Sequence, residues 1–166
     1  MKVVLDHYPV ASIMDIKISP GLFAPGPWGR KLLRIEGEEV SLDDIEHRIL
    51  RPIWRDARLH YAVNCASVGC PNLQRDAFTA ANTETLLDRG AREYVNSGRG
   101  VVGAGTNLYA SSIYKWFRED FDDSETGVLA HLRRYAAPDL ARALEGRRDI
   151  SAYQYDWKLN DARPGS

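Results

Sequence analysis

Apolar residues recur at helical spacing along much of the chain, and the breaks between them are sharp. From Ser41, with Asp44 as an acidic partner three residues on, Leu42, Ile45, Ile49 and Leu50 form one stripe, which Arg51-Pro52 is predicted to end. A second helix starts at Thr83, runs through Leu86, Leu87, Ala91, Tyr94 and Val95, and stops at Ser97-Gly98. Ser111 or Ser112 caps a third, in which Ile113, Trp116, Phe117 and Phe121 make an aromatic stripe that reads as core. Thr126 to Ala136 places Val128, Leu129, Leu132 and Tyr135 on one face, and a short helix around Leu140 to Leu144 follows Pro138 and ends at Gly146. Shorter helical pieces are predicted before Pro9 and over Ser12 to Ile18.

Strand signals are fewer. Arg30 to Ile35 and Glu39 to Leu42 flank Glu36-Gly37-Glu38, the pattern of a β-hairpin with Gly37 in its turn. Leu108 to Ala110 and Ile150 to Tyr155 read as short strands, and the glycine-rich stretch from Gly98 to Asn107 as a loop. The apolar run Arg58 to Cys65 fits a strand or a buried helix equally well. Between Ser19 and Trp28 the breakers are dense, with Phe23 and Trp28 either exposed as binding anchors or, more often for such loops, tucked beneath them as a satellite core. The class is α+β, with several helices on a small, mostly antiparallel sheet. One domain is expected over residues 1–160, followed by a loose tail, 161–166.

Composition narrows the partners. The 166 residues carry 22 basic and 23 acidic side chains, a formal charge of −1, which offers no field for nucleic acid or anionic lipid. The pairs Arg133-Arg134 and Arg147-Arg148 are read as solvated helix faces. No apolar run reaches membrane-spanning length. Met1 to Leu5 is cut short by Asp6, His7 and Pro9 before it can serve as a signal peptide, so a cytoplasmic location is expected. The two cysteines are expected as reduced thiols.

Candidate chemistry is concentrated between Leu59 and Pro71, which holds Cys65, Cys70, His60 and Asn64. Cys65 is either a nucleophile or a buried small hydrophobe. His60 lies five residues upstream, a spacing that brings the two together only where the chain bends near Asn64. His47, on the capped helix, is an alternative base. Cys70, at a Gly-Cys-Pro turn, is expected to be the more exposed thiol. Asp156, between Tyr155 and Trp157, needs either a structural arginine or a catalytic histidine. A zinc site from His47, His60, Cys65 and Cys70 lacks the usual ligand spacing, so neither metal nor cofactor is expected. Glu119-Asp120 and Asp122-Asp123 read as an acidic helix end in water.

Four motifs together resemble the DUF547 family, a family of bacteria and plants whose function is not established. They are Ser41 to His47 with Leu50-Arg51; His60 to Pro71 with Leu73; Ile113 to Phe117 with Asp120-Phe121; and Tyr155-Asp156-Trp157 with Leu159-Asn160. The resemblance covers roughly residues 1–160. It implies an arrangement reminiscent of papain-like and transglutaminase-like folds, in which a cysteine at a helix start meets a histidine and an acid on a sheet. Many members are exported. Members usually carry an upstream helical segment with an Asn-x-Tyr-Asn motif, and the chain begins just after where that motif would end. An incomplete domain is therefore expected, with an exposed apolar face that favours self-association. Lys158 stands where a serine is common. Two readings follow. One is a binding or interaction domain for a protein or peptide, with Cys70, Asn64, Trp116 and Trp157 in its binding surface. The other is a thiol hydrolase or acyltransferase using Cys65, His60 or His47, and Asp156.

Overall fold

The structure, a computed structural model, describes residues 2–20 and 26–161. The chain forms two compact units. One comprises Met1–Arg55, Cys65–Val68 and Trp157–Ser166, the other Asp56–Asn64 and Gly69–Asp156.

In the first unit, α1 (Lys2–Asp6) precedes a single 3-10 turn, Ile13–Asp15, where a longer helix was expected. Ser12 and Asp15 cap that turn reciprocally, and Ser12 Oγ also donates to the Trp157 carbonyl at 2.6 Å. The hairpin forms as predicted. β1 (Leu33–Ile35) pairs antiparallel with β2 (Glu38–Val40), and Glu36 (φ 50°) and Gly37 (φ 90°) make the tight turn. Ser41 and Asp44 exchange backbone hydrogen bonds as a capping box. Hydrogen bonds from Lys31 and Ser41 hold the Asp44 carboxyl well below the usual carboxylate range.

The helix after Ser41 does not end at Pro52. Residues Asp44–Leu50 are π-helical, and α2 (Arg51–Trp54) continues to Arg55, whose φ of 50° turns the chain. The wider register sends the Arg51 N–H to the Glu46 carbonyl, and Pro52 falls in the first turn of α2, where a missing N–H is tolerated. The unit's core is small: Val4, Ile13, Ile16 and Leu159, with Trp28, Ala66 and Trp157 packed on it. Trp28 meets Trp157 edge-on, as expected of a satellite core, while Phe23 lies outside the described residues, as does the tail beyond Asp161.

The second unit is built on α3 (Thr83–Val95), β3 (Val101–Ala104), β4 (Asn107–Ser111), α4 (Ile113–Trp116), α5 (Glu125–Tyr135), α6 (Pro138–Leu144) and β5 (Ala152–Gln154). The glycine-rich stretch is not a loop. It supplies β3, which pairs antiparallel with β4, and Gly105 (φ 58°) turns the hairpin. Gly100 is required: a Cβ there would lie 1.9 Å from the Tyr94 carbonyl oxygen. β5 joins β4 in parallel, so the three-stranded sheet is mixed.

The aromatic stripe after Ser112 also divides. α4 stops at Trp116, a 3-10 turn covers Arg118–Phe121, and Trp116 is exposed while Ile113 and Phe121 are buried. Tyr61, Tyr94, Tyr114, Leu108, Leu129 and Leu132 anchor a large core. Arg133 is no idle solvated charge, since it donates to the Leu144 and Arg147 carbonyls and ties the end of α6 to α5. Arg147 likewise reaches the Gly105 carbonyl. Among the described residues no helix is long and apolar enough to cross a membrane.

Candidate active site

The run Arg58 to Cys65 is neither strand nor long helix. Asp56 accepts the Arg58 N–H at 2.8 Å and starts a 3-10 turn, Ala57–Tyr61, that places adjacent side chains in different surroundings. Arg58 reaches Asp56, Glu84 and Asp88, tying this turn to α3. Burial works against the Asp56 carboxylate, but the bonds from Arg58 prevail and hold it ionised. The same partners raise the Arg58 guanidinium further, so Arg58 and Asp56 keep their charges throughout the physiological range.

His60 is the buried member of the candidate set, at 3% exposure. Its Nε2 lies 2.7 Å from Asp120 Oδ2, and its ring stacks on Phe117 with centroids 4.2 Å apart. Asp120 comes from the 3-10 turn after α4, so the break in the aromatic stripe is what presents a carboxylate to the imidazole. Asp120 was expected in a solvated acidic cluster; instead it is half-buried against a histidine.

Next to His60, Tyr61 enters a separate buried network. Its hydroxyl lies 2.8 Å from His131 Nε2 and 3.3 Å from the Tyr114 hydroxyl. Burial raises both tyrosines, which therefore stay protonated. Burial, with Arg134 second, lowers His131 to about 4, so its imidazole is neutral at pH 7.

The remainder of the stretch is divided between the units. In the second, Asn64 Nδ2 donates to the Pro71 carbonyl at 2.7 Å and closes the loop across its ends. The Gly69 N–H donates to the Asp156 carbonyl at 2.9 Å, and the Tyr94 hydroxyl donates to the Gly69 carbonyl at 2.7 Å. A Cβ at Gly69 would stand 2.9 Å from the Tyr155 ring, which explains a glycine there. Cys70 is buried, contrary to expectation. Its sulfur lies 3.2 Å from the Tyr155 hydroxyl, and Arg99 donates to its carbonyl. Tyr155 in turn packs against the exposed Trp116.

In the first unit, Cys65 is half-buried and its sulfur lies 3.1 Å from Ser67 Oγ. Between them Ala66 has φ 63°, a left-handed conformation that costs a non-glycine residue about 1 kcal/mol or more. It is held by the flanking backbone. The Asn160 N–H donates to the Ala66 carbonyl, the Val68 N–H donates to the Lys158 carbonyl, and Ser67 bridges Leu159. This is the role of the last sequence motif in this unit: Lys158 to Asn160 clamp the Cys65 loop.

A family profile matches residues 11–95, under the description "Protein of unknown function, DUF547". The chain belongs to the DUF547 family. No curated protein and no solved structure matches it. The DUF547 match takes in His47, His60, Asn64, Cys65 and Cys70, but ends before Trp116, Asp120, Asp156 and Trp157.

Of these residues, Cys65 and His47 belong to the first unit, His60 and Asp156 to the second. His47 is exposed, with Nδ1 3.2 Å from an Arg51 nitrogen and Nε2 4.0 Å from Asp43. The Asp156 side chain is exposed rather than buried, and the carboxylate on His60 is that of Asp120. Sequence reasoning missed Asp120, Ser67 and His131 as members of polar networks. Asp120 stood within a motif of the DUF547 resemblance, but nothing local distinguished it from its acidic neighbours. Neither cysteine is in a disulfide. Among the described residues, no group of three or more His, Cys, Asp or Glu side chains is arranged to hold a metal ion.

Proposed function

We propose that the protein is a cysteine-dependent hydrolase or acyltransferase, with Cys65 as nucleophile and a histidine as base, the candidates being His60, which Asp120 orients, and His47. The observation that carries this reading is the His60–Asp120 pair: a buried, stacked imidazole with Nε2 committed to a carboxylate. That is the base-and-orienter half of a nucleophilic triad. Strain at Ala66, beside the half-buried Cys65, supports the same loop as its nucleophilic part. Asp120 here takes the role first suggested for Asp156, and His47 is the alternative base.

In this reaction the Cys65 thiol proton passes to the histidine base. The thiolate adds to the carbonyl carbon of an ester, thioester or amide, forming a C–S bond as the C=O π pair moves to oxygen. Collapse expels the alcohol, thiol or amine, which takes the proton from the histidine. Water or an acceptor amine or alcohol, deprotonated by the same histidine, then cleaves the thioester and regenerates Cys65.

Iodoacetamide alkylation, mapped by mass spectrometry, tests this. At pH 6 Cys65 should react about tenfold faster than in the denatured chain, and His60→Ala and Asp120→Asn should both abolish the difference. A Cys65 no faster than the denatured thiol, or one indifferent to both substitutions, would sink the reading. Cys70, being buried, is the internal control for folding.

A second reading, an interaction domain, is favoured by the exposed apolar side chains Leu33 and Ile35 of β1 and Ile53 and Trp54 of α2. It predicts that Cys65→Ser leaves the cellular phenotype intact. Loss of the phenotype with folded protein still present would count against it.

A further inference from the structure

We infer that Ser67 is a positioning residue for Cys65, its hydroxyl holding the sulfur in place and donating to it once the thiol proton has left. The inference rests on the reading of Cys65 as nucleophile. Ser67 is fully buried, at 0% exposure, and a buried hydroxyl must spend its donor and acceptor on partners. One of those partners is the Cys65 sulfur, 3.1 Å from Oγ.

The geometry is built rather than incidental. Ala66 turns through the left-handed region, and hydrogen bonds to Lys158 and Asn160 with the Ser67–Leu159 bridge fix the backbone on either side. Cys65 and Ser67 are thereby held with their side-chain tips in contact. A hydroxyl can accept from a thiol S–H and, after rotation, donate to a thiolate. Donation to a charged acceptor is roughly twice as strong as a neutral hydrogen bond, so the contact tightens when the sulfur becomes anionic. Ser67 therefore favours the reactive form without exchanging a proton with substrate.

The pH profile of Cys65 alkylation by iodoacetamide reads this directly. Three proteins are compared: wild type, Ser67→Ala and His60→Ala. In Ser67→Ala the midpoint should move up by about one pH unit, while Cys65 still alkylates fully at high pH. Ser67→Thr, which keeps the hydroxyl, should restore the wild-type midpoint. Continued protection of Cys70 reports a folded variant. If Ser67→Ala fails that check, Ser67→Cys, similar in size but a weaker donor, carries the test and should also raise the Cys65 midpoint. An unmoved midpoint in a folded Ser67 variant overturns the inference. A low wild-type midpoint that depends on His60 but not on Ser67 removes Ser67 alone. A wild-type midpoint at the ordinary thiol value, indifferent to His60, removes the nucleophile reading and this inference with it.

Discussion

The two units bury their residues in opposite ways. The second surrounds its tyrosines with leucine and valine and then spends each buried hydroxyl: Tyr61 on His131 and Tyr114, Tyr94 on Gly69 and Ser111. The first has only Val4, Ile13, Ile16 and Leu159 at its centre, and its hairpin β1–β2 buries no side chain among the described residues. A buried polar network is tolerable only where packing is dense enough to fix every partner. Where apolar burial is scarce, backbone hydrogen bonds and caps must hold the chain, as they do around Ala66 and Ser41. The candidate nucleophile thus sits in the lightly packed unit and the candidate base in the densely packed one.

The contrast can be broken most forcefully in the cores. Leu132→Ala should cost roughly 2–5 kcal/mol, because a fully buried leucine among aromatic rings leaves a cavity that cannot collapse. Ile16→Ala falls in the same general range but should lie at its low end, since the small core around it can relax. Urea unfolding with hydrogen-exchange readout would separate the two. Equal costs, or equal spread of lost protection, would remove the distinction between the cores.

Acid tests the polar network next. His131 is lowered to about 4 by burial, against about 6.5 in the unfolded chain. The folded state therefore resists protonation. This histidine's contribution is complete above pH 6.5 and is lost as pH falls from there through 4, up to roughly 3 kcal/mol in all. His131→Gln, which keeps a hydrogen-bonding group for Tyr61, should flatten the urea midpoint across that window. An unchanged pH dependence would show that the network does not carry it. Asp44, Asp56 and Asp88 are shifted downward, so their contributions are lost only at still lower pH.

The smallest effect is expected at the cap. Ser41→Ala removes the hydroxyl that accepts the Asp44 N–H and should cost about 1 kcal/mol. Amide exchange should speed up in the first turn after Ser41 and nowhere in the second unit. A loss of protection throughout α3 or α5 would mean that the units do not respond separately.

Much of the fold was legible because its signals are local. The Glu36-Gly37 turn, the Ser41–Asp44 box and the stripes of α3 and α5 each need only a few neighbouring residues to be recognised. One misread strand depended on a distant partner, and one misread helix end on a backbone register that side chains do not show. β3 looked like a loop until β4 paired with it, since glycines 100, 103 and 105 hide a strand whose hydrogen bonds lie elsewhere in the chain. The helix across Pro52 continues from a π-helical register that side-chain periodicity does not show, with Pro52 in the first turn of α2.

The same division runs through the candidate site. The sequence alone determined that Cys65, Cys70, His60 and Asn64 stand together in one stretch, and that the motifs belong with DUF547. It also determined α3, α5 and the hairpin, since caps, turns and periodicity act over a turn or two of chain. Only the tertiary structure decided that Cys70 is buried against Tyr155 and that the acid on His60 is Asp120, sixty residues away. It alone set Ser67 against the Cys65 sulfur across a strained Ala66. Burial and long-range pairing depend on which segments meet, and an isolated aspartate or cysteine carries no mark of the partner it will find.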